Sequence, residues 1–231
     1  MPKFAVMPLL AFTASAALII AATLSVSADT PVIAPAPKAT APQEAGPQTI
    51  TLAGGCFWGV QAVFQHVDGV TRAVSGYAGA RIAKPTYDQV STGTTGYAES
   101  VQVTFDPRKI GLGDLLRIYF SVAHDPTEVD AQGPDEGTQY RSEIFAADPA
   151  QAQFARTYIA ELDAARAFAR PIATKVQTSA SFYPAEGYHQ NYATLHPYEP
   201  YIAYNDIPKL DNLKRLFPTL YREKPQLVAA N

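Results

Sequence analysis

The sequence predicts one domain of mixed helix and strand, and three observations carry that expectation. Between about Thr49 and Phe217, strand-like alternation and helix-like apolar spacing succeed one another without an internal repeat. That span is long enough for one compact domain and too short for two of ordinary size. The segments before it read as targeting sequence and tether, not as parts of a core.

Lys3 is the only charged side chain before Asp29, and Phe4 to Leu24 is dominated by Ala, Leu, Ile, Val and Phe. Small residues at Val26-Ser27-Ala28 then suit a signal peptidase, so residues 1–28 are expected to be an export signal cleaved after Ala28. An uncleaved anchor is the competing reading, because the apolar run approaches the ~20 residues needed to span a bilayer. Cleavage implies a periplasmic or secreted protein with no stable membrane association. Residues 29–48 are rich in Pro and Ala and predict an extended tether. The folded domain is expected over 49–217, with a tail at 218–231. Setting Lys3 aside, the 18 basic residues fall to 17 against 21 acidic ones. This mild acidity argues against nucleic acid as a partner.

Within the domain, Gln48 to Leu52 alternates as a strand until Gly54-Gly55 breaks it. Phe57, Val60, Phe64 and Val67 then take up helical spacing. A second strand runs from Gly96 to Asp106-Pro107, and Glu99 shares parity with Val101, Val103 and Phe105. If the strand extends that far, Glu99 projects toward the apolar face. Desolvation would hold its carboxyl neutral and fit it to donate a proton; a glutamate curling into solvent is the alternative. Leu112, Leu115, Leu116, Tyr119, Phe120 and Ala123 predict a helix, ended by a cap and turn at His124-Asp125-Pro126. The turn-rich stretch Gly133 to Ser142 leads into Ile144-Phe145, and its Asp135 and Glu136 suit either a site or a solvated turn. Asp148-Pro149 opens a helix that buries Phe154, Tyr158 and Leu162. A strand at Ile172 to Val176 and a helical stretch at Tyr188 to Leu195 complete the pattern. Beyond Asn205 the sequence offers no legible chemistry.

Cys56 is the single cysteine of the chain, so no intrachain disulfide forms. A lone cysteine is ordinarily buried and inert. This one sits between glycines at a strand-to-helix junction, on the helix N-terminus. That position predicts a stabilised thiolate, with a pKa below the free value of ~8.5. His66, His124 and His196 are scattered, with no metal-ligand spacing.

Five motifs occur in order: Gly-Cys-Phe-Trp-Gly at 55–59, Pro85-Thr86-Tyr87, Gly96-Tyr97-Ala98-Glu99, Gly137-Thr138-Gln139-Tyr140-Arg141-Ser142 and Tyr188-His189-Gln190. Together they resemble the A-type peptide methionine sulfoxide reductases. The resemblance runs from about Thr49 to His196. It implies an α/β two-layer sandwich with a mixed sheet and flanking helices. It also implies specificity for the S epimer of the sulfoxide and no metal or organic cofactor. By the same resemblance Cys56 is the nucleophile, Phe57 and Trp58 wall the substrate methyl group, and Glu99 gives a proton to the sulfoxide oxygen. Tyr87 and Tyr140 bind that oxygen, and Asp135 takes part in positioning or recycling. Many family members carry resolving cysteines toward the C-terminus. This chain reads His196-Pro197-Tyr198-Glu199-Pro200-Tyr201-Ile202 there and resembles the branch without them. Recycling then falls to an external thiol or dithiol, such as a thioredoxin-like protein.

The substrate implied is methionine sulfoxide, free or in oxidised proteins. Met1 and Met7 are the only methionines and both fall within residues 1–28. A mature repair enzyme would thus avoid becoming its own substrate. Two other classes compete. One is a cysteine acyl-transfer hydrolase with His189 and Asn191 as base and orienter; the other is a non-catalytic exported binding module using its many aromatics.

Overall fold

The alternating residues of the first predicted strand lie at the centre of a six-stranded mixed sheet. The computed structural model describes residues 1, 31–42, 45–81, 84–178 and 180–229. Apart from Met1, the expected export signal falls outside them. In chain order the elements are β1 (Gln48–Ala53), α1 (Phe57–Gln65), β2 (Val70–Ala78), α2 (Tyr87–Ser91), β3 (Ala98–Phe105) and α3 (Leu112–Ile118). Then come β4 (Ala131–Gln132), β5 (Asp135–Glu136), β6 (Glu143–Ala146), α4 (Pro149–Ala164), β7 (Lys175–Thr178), β8 (Phe182–Pro184), α5 (Tyr192–Leu195) and α6 (Ile207–Leu216).

The sheet order is β7-β6-β1-β3-β2-β8, with β4 and β5 forming a separate hairpin. Only the β6–β7 pair is parallel among the described pairings, which makes the sheet mixed. Ile50 faces Val103 and Leu52 faces Val101 across β1 and β3. Their side chains share one face and join α1, α3 and α4 in a single apolar core. Phe57, Val63 and Phe64 of α1 and Tyr158 and Leu162 of α4 are fully buried there. Each such apolar side chain contributes roughly 1.5–3 kcal/mol. The opposite face holds a smaller cluster of Ala53, Ala78, Ala98 and Phe145. The result is the two-layer α/β arrangement that the resemblance implies.

Local rules place several ends. Asp148 Oδ1 accepts from the Ala150 and Gln151 N–H groups and caps α4 ahead of Pro149. α3 continues as a π-helical turn, Tyr119–Ala123, that stops at an extended His124. Two expected elements move. The strand expected at Ile172 to Val176 begins only at Lys175, because Asp163 Oδ1 and the Pro126 carbonyl hold the Ile172 and Ala173 N–H groups outside the ladder. The helix expected over Tyr188 to Leu195 is a 3₁₀ turn, Gly187–His189, and then α5. Asn191 at φ +60° separates them, its N–H held by Gln61 Oε1 at 2.8 Å.

The Pro/Ala-rich stretch does not hang free over its described part. Ala34 is wholly buried, its N–H donates to Ser121 Oγ at 2.9 Å, and its carbonyl accepts from Arg117 Nε at 2.8 Å. Pro35 O accepts from Tyr158, while the Lys38 and Ala39 N–H groups reach the Glu161 carboxylate. Prolines keep this strap extended, and domain side chains satisfy the backbone groups that water would otherwise solvate. The C-terminal tail docks too: the Arg222 N–H donates to His66 O and the Gln226 N–H to Gln65 O.

Candidate active site

β1 brings the chain to the site and two glycines turn it. Gly55 has φ +84°, and a Cβ there would lie 2.5 Å from Gln132 Cγ; one on Gly54 would lie 2.9 Å from the His124 ring. Only glycine fits this corner. The turn leaves Cys56 as the N-cap of α1, 9 % exposed.

The thiol does not have the lowered pKa that its position predicts. Burial pushes it well above its ordinary value, and the nearby Glu99 and Asp206 carboxyls add to that. The Trp58 N–H of the first helical turn and the Lys209 ammonium pull the other way and do not compensate. A helix N-terminus favours a thiolate in water-accessible surroundings; here the surroundings are nearly dry.

Glu99 lies where its parity places it, on the core face of β3, opposite Tyr77 of β2 and 2 % exposed. Its Oε2 accepts the Phe57 N–H at 3.0 Å, so the acid is tied to the residue that follows the cysteine. Burial raises its pKa from 4.5 to about 8, against the lowering effect of that amide. At neutral pH the carboxyl holds a proton it can give.

Tyr87 opens α2 behind a Thr86 capping box, and Tyr140 closes the 3₁₀ turn Thr138–Tyr140. Both phenols are half-buried and have raised pKa values, from burial first and then from Glu99, with Cys56 contributing. Both therefore remain hydroxyl donors within electrostatic reach of the thiol and the acid. Asp135 on β5 bonds the Tyr201 hydroxyl, and burial raises its pKa. The structure thus brings Cys56, Glu99, Tyr87, Tyr140 and Asp135 into one electrostatic neighbourhood.

Phe57 and Trp58 supply the aromatic side. Phe57 is fully buried, 5.0 Å from the His189 ring. Trp58 is half-buried, stacks on Tyr192 at 3.9 Å and meets Tyr201 edge-on at 6.1 Å. Trp58 Nε1–H donates to His189 Nδ1 at 3.2 Å. That bond leaves the proton of the neutral imidazole on Nε2. Burial lowers the His189 pKa further. Asn191 turns away, its Oδ1 accepting from Gln65 Nε2 at 2.8 Å and its Nδ2 donating to Val228 O. With Nδ1 occupied and Asn191 elsewhere, the hydrolase arrangement of Cys56, His189 and Asn191 does not exist here.

The sequence profile of the peptide methionine sulfoxide reductase family matches residues 48–219. The chain belongs to this family. It is 58% identical over 183 residues to the peptide methionine sulfoxide reductase MsrA 2 of Mesorhizobium japonicum, a match covering 79% of this chain and 94% of that one. It is 47% identical over 172 residues to an MsrA of Thermus thermophilus, covering 74% and 96%. Among solved structures, reduced Mxr1 of Saccharomyces cerevisiae superposes with TM-score 0.60 at 34% identity, over 68% of this chain and 90% of that one. Methionine sulfoxide reductase A of Corynebacterium diphtheriae gives 0.57 at 35%, over 68% and 78%. The reductase converts methionine sulfoxide to methionine and so repairs oxidative damage.

Several residues of this reductase's site carry no role in the sequence reading. Glu186 accepts the Tyr87 N–H on Oε1 at 2.9 Å and the Tyr77 hydroxyl on Oε2 at 2.8 Å, fixing the start of α2. Tyr201 lies inside the stretch compared with resolving-cysteine segments, yet only its bond to Asp135 reveals it as part of the site. Asp206 and Lys209 belong to the region beyond Asn205, where the sequence alone shows no chemistry. An Asp-x-Pro helix start at Asp206 to Pro208 is the available signal, and it speaks of a cap and not of a site.

Proposed function

We propose that Cys56 reduces the sulfoxide by direct attack on its sulfur, with Glu99 as the proton donor. The observation that carries this is the 3.0 Å bond from the Phe57 N–H to a Glu99 carboxyl that stays neutral up to about pH 8. A sulfoxide oxygen leaves poorly unless it is protonated, and a neutral acid beside the thiol meets that need. Tyr87 and Tyr140 hydrogen-bond the oxygen as charge develops on it. Phe57 and Trp58 shelter the methyl group, and Asp135 orients the site through Tyr201.

As the Cys56 sulfur attacks, the Glu99 proton passes to the oxygen and the thiol's own proton replaces it on the carboxyl. The substrate's S–O bond breaks as its hydroxyl passes to the Cys56 sulfur, the S–S bond formed in the attack breaks, and methionine leaves with Cys56 as a sulfenic acid. The substrate sulfur gains the two electrons that Cys56 loses. The chain has no second cysteine to condense with that sulfenic acid. An external thiol therefore attacks Cys56, releasing water and leaving a mixed disulfide, and a second thiol of the reductant frees the enzyme. Residues 1–28 direct export, and the mature protein acts in the periplasm or outside the cell.

Thiol-dependent reduction of a racemic aryl methyl sulfoxide, followed by chiral analysis, tests the chemistry. Consumption of the S form alone is expected, with none by Cys56→Ser and one equivalent of trapped sulfenic acid when reductant is withheld. An unoxidised sulfur, or a stable internal thioether, after one turnover would contradict the mechanism. For export, the mature N-terminus should be Asp29.

A further inference from the structure

Asn191 takes no part in the chemistry above, yet it stands between the two residues that hold the Trp58 ring. α1 fixes the Trp58 backbone, and two contacts from one short segment fix its indole. His189, 2 % exposed, accepts the indole Nε1–H at 3.2 Å, and Tyr192 stacks on the ring face at 3.9 Å with 13° between the planes. A 3₁₀ turn ends at His189 and α5 opens at Tyr192, so the chain changes direction between them. Asn191 makes that change at φ +60°, a left-handed conformation that asparagine tolerates better than most residues. Its conformation lets one neighbour reach the indole edge while the other covers the face.

Two distant parts of the chain hold Asn191 in place. From α1, Gln61 Oε1 accepts the Asn191 N–H at 2.8 Å and Gln65 Nε2 donates to its Oδ1 at 2.8 Å. From the C-terminal tail, the Val228 N–H donates to the same Oδ1 at 3.1 Å and the Val228 carbonyl accepts from Asn191 Nδ2 at 2.8 Å. The side-chain amide thus pairs with the tail backbone through both of its polar atoms, in a buried setting where each lost bond would leave a group unsatisfied. We propose that Asn191, clamped by the C-terminal tail, is the positioning residue for Trp58, and that the tail thereby sets how closely the pocket fits the substrate's methyl group. This rests on the reading of Trp58 as a wall for that group.

Trp58 is the only tryptophan of the chain, so intrinsic fluorescence reports on this ring alone. Asn191→Gly keeps the left-handed backbone accessible and removes the amide, while a chain ending at Gln226 removes Val228 and keeps the Arg222 and Gln226 contacts of the tail. Each should move the emission to the red and raise KM for an aryl methyl sulfoxide about fivefold, with a smaller fall in kcat. The preference for methyl over ethyl sulfoxide should narrow about threefold. Because both changes open the same clamp, the double variant should be no worse than either alone. Circular dichroism confirms that each variant is folded, and a loss of stability by itself moves neither the emission of the folded protein nor its methyl preference. Unchanged emission and KM in both single variants, or additive losses in the double variant, would overturn the proposal. A Trp58→Leu variant with the parent's methyl preference would instead overturn Trp58 as the methyl wall, and the emission shifts would still show the tail positioning the ring.

Discussion

Glu99 and Asp206 are buried carboxyls on two sides of the first turn of α1, and they are partnered in opposite ways. Glu99 accepts one backbone amide, and no cation reaches it among the described residues. Asp206 is also pushed up by burial, but Lys209 pulls it back and shares its charge. The difference shows how one residue chemistry serves two ends. A carboxyl facing only a dipole sheds its charge by keeping a proton, which makes it an acid. One facing an ammonium has its charge stabilised by that partner and becomes an anchor.

Removing the acid should produce the largest effect. Glu99→Gln keeps the acceptor for the Phe57 N–H and loses the proton, so kcat should fall about 10³-fold. Asp206→Asn in the same assay should lose about tenfold or less, and equal losses would erase the distinction.

Stability separates the two next. Glu99 holds its proton in the fold while the unfolded chain releases it above 4.5. The stability tied to that proton is intact below 4.5 and is lost as pH rises through about 8. Between pH 5 and 7 this amounts to roughly 3 kcal/mol. Urea melts of Glu99→Gln should therefore lack that decline and gain on the parent as pH rises. Asp206→Asn should be destabilised on the order of 2 kcal/mol, less than for a fully buried pair because Lys209 keeps some solvent. A gain in stability for both variants would show that Lys209 does not secure Asp206.

The hydroxyls should matter least singly. Tyr87→Phe and Tyr140→Phe are each expected to lower kcat about tenfold, because the other phenol and Glu99 still bind the oxygen. The double variant should approach the loss of Glu99→Gln. A single replacement as severe as Glu99→Gln would move the proton donor to that tyrosine.

What was legible in the sequence follows from where each cause lies. Glu99 could be read because strand parity is local, and the corner at Gly54-Gly55 could be read because it needs glycine. The ionisation of Cys56 could not, since burial and Asp206 come from segments distant in sequence. β2 escaped notice because most of it is buried on both faces, which removes the alternation that marks a strand. The strap at 31–42 resembles a tether in composition. What fixes it is side chains elsewhere, Ser121, Arg117, Tyr158 and Glu161, that hydrogen-bond its backbone. Asp206 and Lys209 gain meaning only from Gly59, whose missing side chain leaves them room.

Catalysis as proposed needs a neutral acid beside Cys56, and the protonation state of Glu99 decides whether it has one. Carbon-detected NMR of the glutamate-labelled reductase, with Glu99→Gln to assign the signal, follows that carboxyl through pH. The expected result is a group protonated at pH 7 that titrates near 8. A carboxyl already ionised at pH 6 would contradict it.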